Sequence, residues 1–143
     1  MIYILDTNVV SEAMKSAPNP SVDFWLNSPP KQDLWTCSIV IAEILSGLDL
    51  MPDGRRKMIL QEKASQLFST LFPERVLFFD LDSAQALGPI RKKRAADGHP
   101  IQAMDALIAA IAAAHSATIV TRNTRDFEDC GVELFNPWPE ADA

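Results

Sequence analysis

Residues 2–6 of the chain read Ile2-Tyr3-Ile4-Leu5-Asp6, an apolar run that ends abruptly in a carboxylate. Short apolar runs rich in β-branched and aromatic residues are typical of buried strands. Thr7 and Asn8 follow, and a helical pattern begins directly after the acid. An acid in this position commonly caps the next helix. The segment therefore predicts a strand–turn–helix unit with a carboxylate at the turn.

Strands and helices alternate along the rest of the chain. The predicted strands cover residues 2–5, 34–37, 76–79, 118–121 and 132–135. The predicted helices cover residues 8–14, 21–26, 39–50 with Ser38 as N-cap, 55–72, a segment that ends at 96 with Asp82 or Ser83 as N-cap, and 101–114. This alternation predicts an α/β domain with a mostly parallel central sheet. We expect residues 1–143 to form one domain.

Composition narrows the range of functions. Hydrophobic residues make up 48% of the 143 residues, enough for a packed core, and no apolar run approaches the roughly 20 residues of a membrane helix. The net charge of −6 argues against a generally basic surface for nucleic acid. Cys37 and Cys130 have no metal-binding spacing, so we expect a cytoplasmic protein without a disulfide. The scattered glycines form no phosphate-binding loop.

Asp105 is the most informative acid in the chain. It lies in Ala103-Met104-Asp105-Ala106-Leu107-Ile108, within a segment that carries no other charge between His99 and His115. Aspartate is a poor residue for a helix interior, and burial of an unpartnered carboxylate costs several kcal/mol or more. A bound cation or a binding cleft would account for it. The alternative is an ion pair with an arginine from elsewhere in the chain.

Two further acids stand in comparable places. Glu43 has apolar neighbours on both sides, although a solvated helical stripe would also explain it. Asp126 follows a predicted strand within Thr121-Arg122-Asn123-Thr124-Arg125-Asp126-Phe127, where a surface turn is the alternative. Parallel strands place their carboxyl ends at one edge of a sheet, so these acids and Asp6 are expected to share a crevice. Clustered carboxylates repel one another, and a hard cation such as Mg²⁺ or Mn²⁺ relieves that repulsion.

These motifs resemble the PIN-domain ribonucleases, and among them the toxins of bacterial VapBC-type toxin–antitoxin pairs, including the FitB-like branch. The resemblance spans nearly the whole chain in order and spacing. It rests on residues 4–8, residues 38–47 with Glu43, residues 105–110, Thr121-Arg122-Asn123 with Asp126-Phe127, and Asn136-Pro137-Trp138.

The resemblance implies a three-layer α/β/α fold and RNA cleavage that depends on Mg²⁺ or Mn²⁺. It implies that Asp6 and Asp105 are principal metal ligands, that Glu43 completes the site, and that either Asp126 or Asn123 is the fourth member. It further implies a homodimer and an inhibitory VapB-like antitoxin that inserts a segment into the acidic site. Residues expected to support the site or the substrate are Thr7, Asn8, Thr121, Asn123, Arg122 and Arg125.

Two other functions compete with this interpretation. A haloacid-dehalogenase-like phosphatase would use Asp6 as nucleophile, but it expects a second aspartate two positions later, where this chain has Asn8. A catalytically silent PIN scaffold that acts only in binding is the non-enzymatic alternative. If the chain is a nuclease, Arg122 and Arg125 are expected to guide the RNA backbone, whereas the run Arg91–Arg94 better fits a solvated helix face.

Overall fold

Five short strands form one parallel sheet in the computed structural model, which describes residues 1–139. The strands are β1 (Tyr3–Leu5), β2 (Leu34–Cys37), β3 (Val76–Leu77), β4 (Thr118–Val120) and β5 (Glu133–Phe135). They lie in the order β3-β2-β1-β4-β5, and every neighbouring pair is parallel. The predicted α/β class and parallel sheet are confirmed. No helix in the described part of the chain is both long and apolar enough to cross a membrane.

Helices connect these strands close to the predicted positions. They are α1 (Thr7–Ala13), α2 (Pro20–Leu26), α3 (Ser38–Asp49), α4 (Arg55–Leu71), α5 (Leu81–Ala96) and α6 (Ala103–Ala114). A 3₁₀ turn, Lys31–Asp33, precedes β2, and a second, Thr124–Phe127, follows β4.

The strand order places a functional crevice beside β1. From β1 the chain moves outward through β2 to β3, then returns to the other side of β1 for β4 and β5. Right-handed crossovers in opposite directions cover opposite faces of the sheet with helices, which gives three α/β/α layers. The reversal opens a crevice at the carboxyl ends of β1 and β4. Asp6 directly follows β1, and Thr121 directly follows β4.

Helix α6 supplies much of the core. Ile108, Ala109, Ala110, Ile111 and Ala112 are completely inaccessible to solvent. Small and β-branched apolar side chains on nearly every face of one helix are typical of a helix enclosed by other elements. The middle of α6 is therefore enclosed by other elements, and Asp105 lies near the more exposed beginning of this helix.

Five of the six helix starts differ from the prediction, and α1 and α2 each begin one residue earlier than expected, at Thr7 and Pro20. Ser38 is the first residue of α3, and the N-cap is Cys37. The cap of α5 is Asp80, whose side chain accepts hydrogen bonds from the backbone N–H and the hydroxyl of Ser83. Helix α6 begins at Ala103, because Gln102 still has extended backbone with φ −67° and ψ 151°.

We expect Ile108→Ala to lower the free energy of unfolding by about 2–5 kcal/mol, because it leaves a cavity in a fully buried part of α6. Ile59→Ala is the matched control, since Ile59 on α4 is 42% exposed. Urea titration measures both. Equal losses in the two variants would contradict the placement of α6 in the core.

Candidate active site

Asp6 lies at the bottom of the crevice and is only 7% exposed. Its backbone N–H continues the sheet by donating to the carbonyl of Val120 at 3.0 Å. Asp6 occupies the N-cap position of α1, yet its side chain makes no capping hydrogen bond. The simple capping role therefore does not explain this acid.

Neutral side chains from two strand ends hold the Asp6 carboxylate in place. The Thr121 hydroxyl donates to Asp6 Oδ2 at 2.8 Å, and Asn8 Nδ2 lies 3.4 Å from the same oxygen. Asn8 also donates to Thr121 Oγ1 at 3.1 Å and accepts from the backbone N–H of Arg122 at 3.1 Å. Thr121 Oγ1 further accepts from the backbone N–H of Asn123 at 3.1 Å. This network joins the ends of β1 and β4 and orients the acid between them.

Glu43 reaches the same region from the second turn of α3. The hydroxyl of Thr7, which starts α1, donates to Glu43 Oε1 at 2.9 Å. The side chain is half-buried, which does not match a freely solvated helical stripe. Glu43 is thus tied to the residue that follows Asp6.

Asp105 lies in the first turn of α6, and its position differs from the expected helix interior. An acid in the first turn is favoured by the helix dipole, so its backbone position alone carries little penalty. The residue is half-buried, and within residues 1–139 its carboxylate has no hydrogen bond and no ion pair. An ion pair with an arginine from elsewhere therefore does not explain Asp105 in the described structure.

Asp126 lies in the 3₁₀ turn after β4, with an exposed side chain. Its backbone N–H donates to the carbonyl of Asn123 at 3.0 Å, so the two candidate fourth members share one turn. The side chain of Asn123 is exposed as well.

The four acids act on one another through their charges. Burial raises the pKa of Asp6, and the charges of Glu43 and Asp126 raise it further, against the Thr121 hydrogen bond. Burial also raises the pKa of Asp105, and with the charges of Asp126, Asp6 and Glu43 the value reaches about 6. These charge effects on Asp6 and Asp105 require the four carboxylates to lie within electrostatic reach in one crevice.

The donor chemistry of this crevice fits a hard divalent cation. Carboxylate oxygens are its preferred protein ligands, and a doubly positive ion would relieve the repulsion at Asp6 and Asp105. Within residues 1–139, however, no three His, Cys, Asp or Glu side chains are already close enough to enclose an ion. The acids are thus electrostatic neighbours whose side chains do not form a finished coordination cage.

Arg94 contributes to the site and was missed in the sequence. The expected solvated face holds for Arg91, Lys92 and Lys93, which are exposed, but Arg94 is only 6% exposed. Its positive charge opposes the raised pKa of Asp105. The spacing of Arg94 from Leu87 and Ile90 on one face of α5 was the available signal.

Two separate grooves adjoin the acids. A mainly apolar groove of about 530 Å³ runs from Thr7 and Glu43 between α1, α3 and α4, and is also lined by Met14, Ile44, Leu48, Leu60 and two lysines, Lys15 and Lys63. A polar groove of about 600 Å³ begins at Asp126 and is lined by Arg122, Asn123, Thr124, Arg125 and Asn136. The guanidinium carbon of Arg122 also lies 5.1 Å from the centre of the Trp138 ring.

The fold and the crevice together define a small α/β protein with an acidic site at the switch point of a parallel sheet. Residues 3–132 match the sequence model of the PIN domain, which is most of the chain. The chain therefore belongs to the PIN-domain family.

Similar proteins extend this assignment over almost the whole chain. The chain is 39% identical to Toxin FitB of Neisseria gonorrhoeae over 137 residues, 96% of this chain and 99% of that protein. It is 36% identical over 140 residues to VapC ribonuclease Y4jK of Sinorhizobium fredii, 98% of this chain and 100% of that protein. The crystal structure of FitAcB from Neisseria gonorrhoeae superposes with a TM-score of 0.87 at 39% identity, covering 96% of this chain and 99% of that one.

The raised pKa of Asp105 predicts a pH-dependent stability for the metal-free protein. Because the folded protein raises this pKa from 3.8 to about 6, the folded state binds the proton more tightly than the unfolded state does. The resulting stability is fully present below about pH 4 and is lost as the pH rises through about 6.

We expect Asp105→Asn to raise the melting temperature at pH 7.5 in a chelator, with the gain shrinking toward pH 4. Thermal unfolding across this pH range measures the effect, and Glu62→Gln at an exposed position on α4 is the control. A gain that is constant with pH would contradict the repulsion at Asp105.

Proposed function

We propose that this protein is a metal-dependent endoribonuclease and the toxin of a VapBC-type toxin–antitoxin pair. The observation that carries the proposal is the convergence of four carboxylates in one crevice, where burial and then the charges of neighbouring acids raise the pKa values of Asp6 and Asp105. Membership of the PIN-domain family and similarity to a relative named VapC ribonuclease support it.

Asp6, Glu43, Asp105 and Asp126 would hold Mg²⁺ or Mn²⁺. When bound, such an ion polarises a phosphodiester, lowers the pKa of water and stabilises a leaving oxygen. Asp126 is favoured over Asn123 as the fourth member, because its negative charge reaches both Asp6 and Asp105. This choice agrees with the preference of hard cations for charged oxygen donors.

The protein's own residues orient the acids and move a proton. Thr121 and Asn8 hold Asp6 in one orientation between β1 and β4, which reduces the reorganisation needed when substrate binds. Thr7 holds Glu43 by one oxygen only, so the other oxygen is available to accept a proton from an attacking water. We therefore assign Glu43 the role of general base alongside its role as a ligand.

RNA fits the polar groove better than the apolar one. Arg122 and Arg125 flank Asp126 there, and guanidinium groups suit phosphate oxygens. Asn123 and Asn136 add neutral hydrogen-bonding groups. A local basic groove of this kind reconciles RNA binding with the net charge of −6.

The apolar groove suits a protein partner. Apolar residues of α3 and α4, with Met14 just after α1, line it up to Glu43, so an amphipathic segment of a VapB-like antitoxin would bury its apolar side chains there. A basic side chain of that segment would then meet the acids. We also propose a homodimer and a cytoplasmic location, and the two buried free cysteines agree with a reducing compartment.

We expect Asp105→Asn to reduce RNA cleavage in Mn²⁺ by at least about 100-fold, because it removes a charged ligand while it keeps nearly the same side-chain shape. Cleavage of a structured RNA by purified protein, with and without chelator, measures this. Glu62→Gln should cleave at the wild-type rate. Cleavage that is unchanged in Asp105→Asn would remove this residue from the mechanism, and absence of cleavage by the wild-type protein under all metals would favour a binding scaffold.

We expect Arg125→Gln to weaken RNA binding and to reduce the salt dependence of the affinity by about one phosphate contact. Arg122→Gln should act in the same direction, with an added structural effect from its contact with Trp138. Lys31→Gln is the matched control, because Lys31 is exposed and lies before the amino end of β2, whereas the polar groove follows the carboxyl end of β4. Identical salt slopes for Arg125→Gln and Lys31→Gln would contradict the assignment of the polar groove to RNA.

A further inference from the structure

Arg94 crosses from α5 to the segment that follows β4. Its Nη1 donates to the backbone carbonyls of Asp126 at 2.9 Å and Glu128 at 3.0 Å. Its Nε donates to the carbonyl of His99 at 2.7 Å, just beyond the end of α5. One guanidinium thus ties three carbonyls from two separate segments of the chain.

The segment that receives these bonds has little regular structure of its own. It is a 3₁₀ turn of four residues, followed by Asp129 with φ 60° and Gly131 with φ 72°. Aspartate tolerates the left-handed conformation better than most non-glycine residues, and these two left-handed residues keep the segment from forming a regular helix or strand. Phe127 is fully buried and anchors the turn to the core, while the carbonyls on either side of it accept from Arg94.

The charge of Arg94 is used in an unusual way. Within residues 1–139 it forms no ion pair with an acid, although it is buried. Buried arginines are usually paired with carboxylates, because desolvation of an unpaired charge is costly. Here backbone carbonyls and the Cys130 sulfur, at 3.8 Å, surround the guanidinium. The positive charge of Arg94 therefore acts on Asp105 at a distance, while the hydrogen bonds of its guanidinium group hold the turn.

We propose that Arg94 is a positioning residue that fixes the Asp126 turn against α5 and α6, so that the fourth acid faces Asp6 and Asp105. The inference rests on the proposed function for its catalytic consequence only, since the positioning itself is a property of the folded chain. A lysine in this position would offer a single ammonium and would lack the planar fork that reaches His99 and Asp126 together.

The test compares Arg94→Met and Arg94→Lys with Arg91→Met, which removes the same charge from an exposed position one turn earlier on α5. Hydrogen exchange of the backbone amides measures how stably the turn is folded, and the experiment needs neither metal nor RNA. We expect exchange to accelerate at residues 126–130 in Arg94→Met, less in Arg94→Lys, and not in Arg91→Met. Amides of β1 and α6 should retain their protection in all three variants.

Metal and substrate readouts test the consequence. We expect Mn²⁺ affinity, measured by calorimetry, to fall about 10- to 100-fold in Arg94→Met, as is usual when a residue that orients ligands is lost. Turnover of RNA should fall more than the affinity for RNA, because Arg122, Asn123 and Asn136 of the polar groove lie outside the Asp126 turn.

Different failures point to different errors. Unchanged exchange at residues 126–130 in Arg94→Met, or loss of protection throughout the domain in both Arg94 variants, would overturn the positioning role. A wild-type protein that neither binds Mn²⁺ nor cleaves RNA would overturn the proposed function, and the exchange experiment would still decide the role of Arg94.

Discussion

Repulsion among carboxylates in one crevice is the constraint on which this structure depends. The strand order brings the ends of β1 and β4 together, and α3 and α6 add an acid each from their N-terminal halves. Burial and the charges of neighbouring acids make the ionised states of Asp6 and Asp105 less favourable. The folded domain has to hold this arrangement against its own electrostatics, and the apolar α6 supplies the necessary packing.

The groups that hold the acids are mostly neutral. Hydroxyl and amide groups of Thr7, Asn8 and Thr121 orient Asp6 and Glu43 without cancelling their charge. A salt bridge in the same place would give similar rigidity, but its positive side chain would neutralise the negative charge that attracts a cation. Arg94 likewise leaves the acids unpaired. It donates hydrogen bonds to backbone carbonyls, and its charge acts on Asp105 only at a distance.

The sequence predicts those parts of the structure that depend on neighbouring residues, such as strand bounds and strand ends. The strand at 34–37 agrees to the residue, and Asp6 is found at a strand end because the change from apolar to acidic is a feature of adjacent residues. The predicted position of Asp105 in a helix interior was wrong. Because Gln102 has an extended backbone, α6 begins at Ala103 and Asp105 lies in its first turn. Arg94 was hidden in a basic run, since its burial depends on carbonyls more than thirty residues later in the chain.

The two flanking grooves share no lining residue, and each ends at a different acid, Glu43 in one and Asp126 in the other. Surface changes on α1, α3 and α4 therefore leave the polar groove chemically intact, and changes beyond β4 leave the apolar groove intact. Under the proposed function, homologous copies of such a domain in one cell would be able to diverge in the groove for one binding partner while they inherit the other groove unchanged. The separation of the lining residues would then give natural selection two independent routes to new specificity around the same acids.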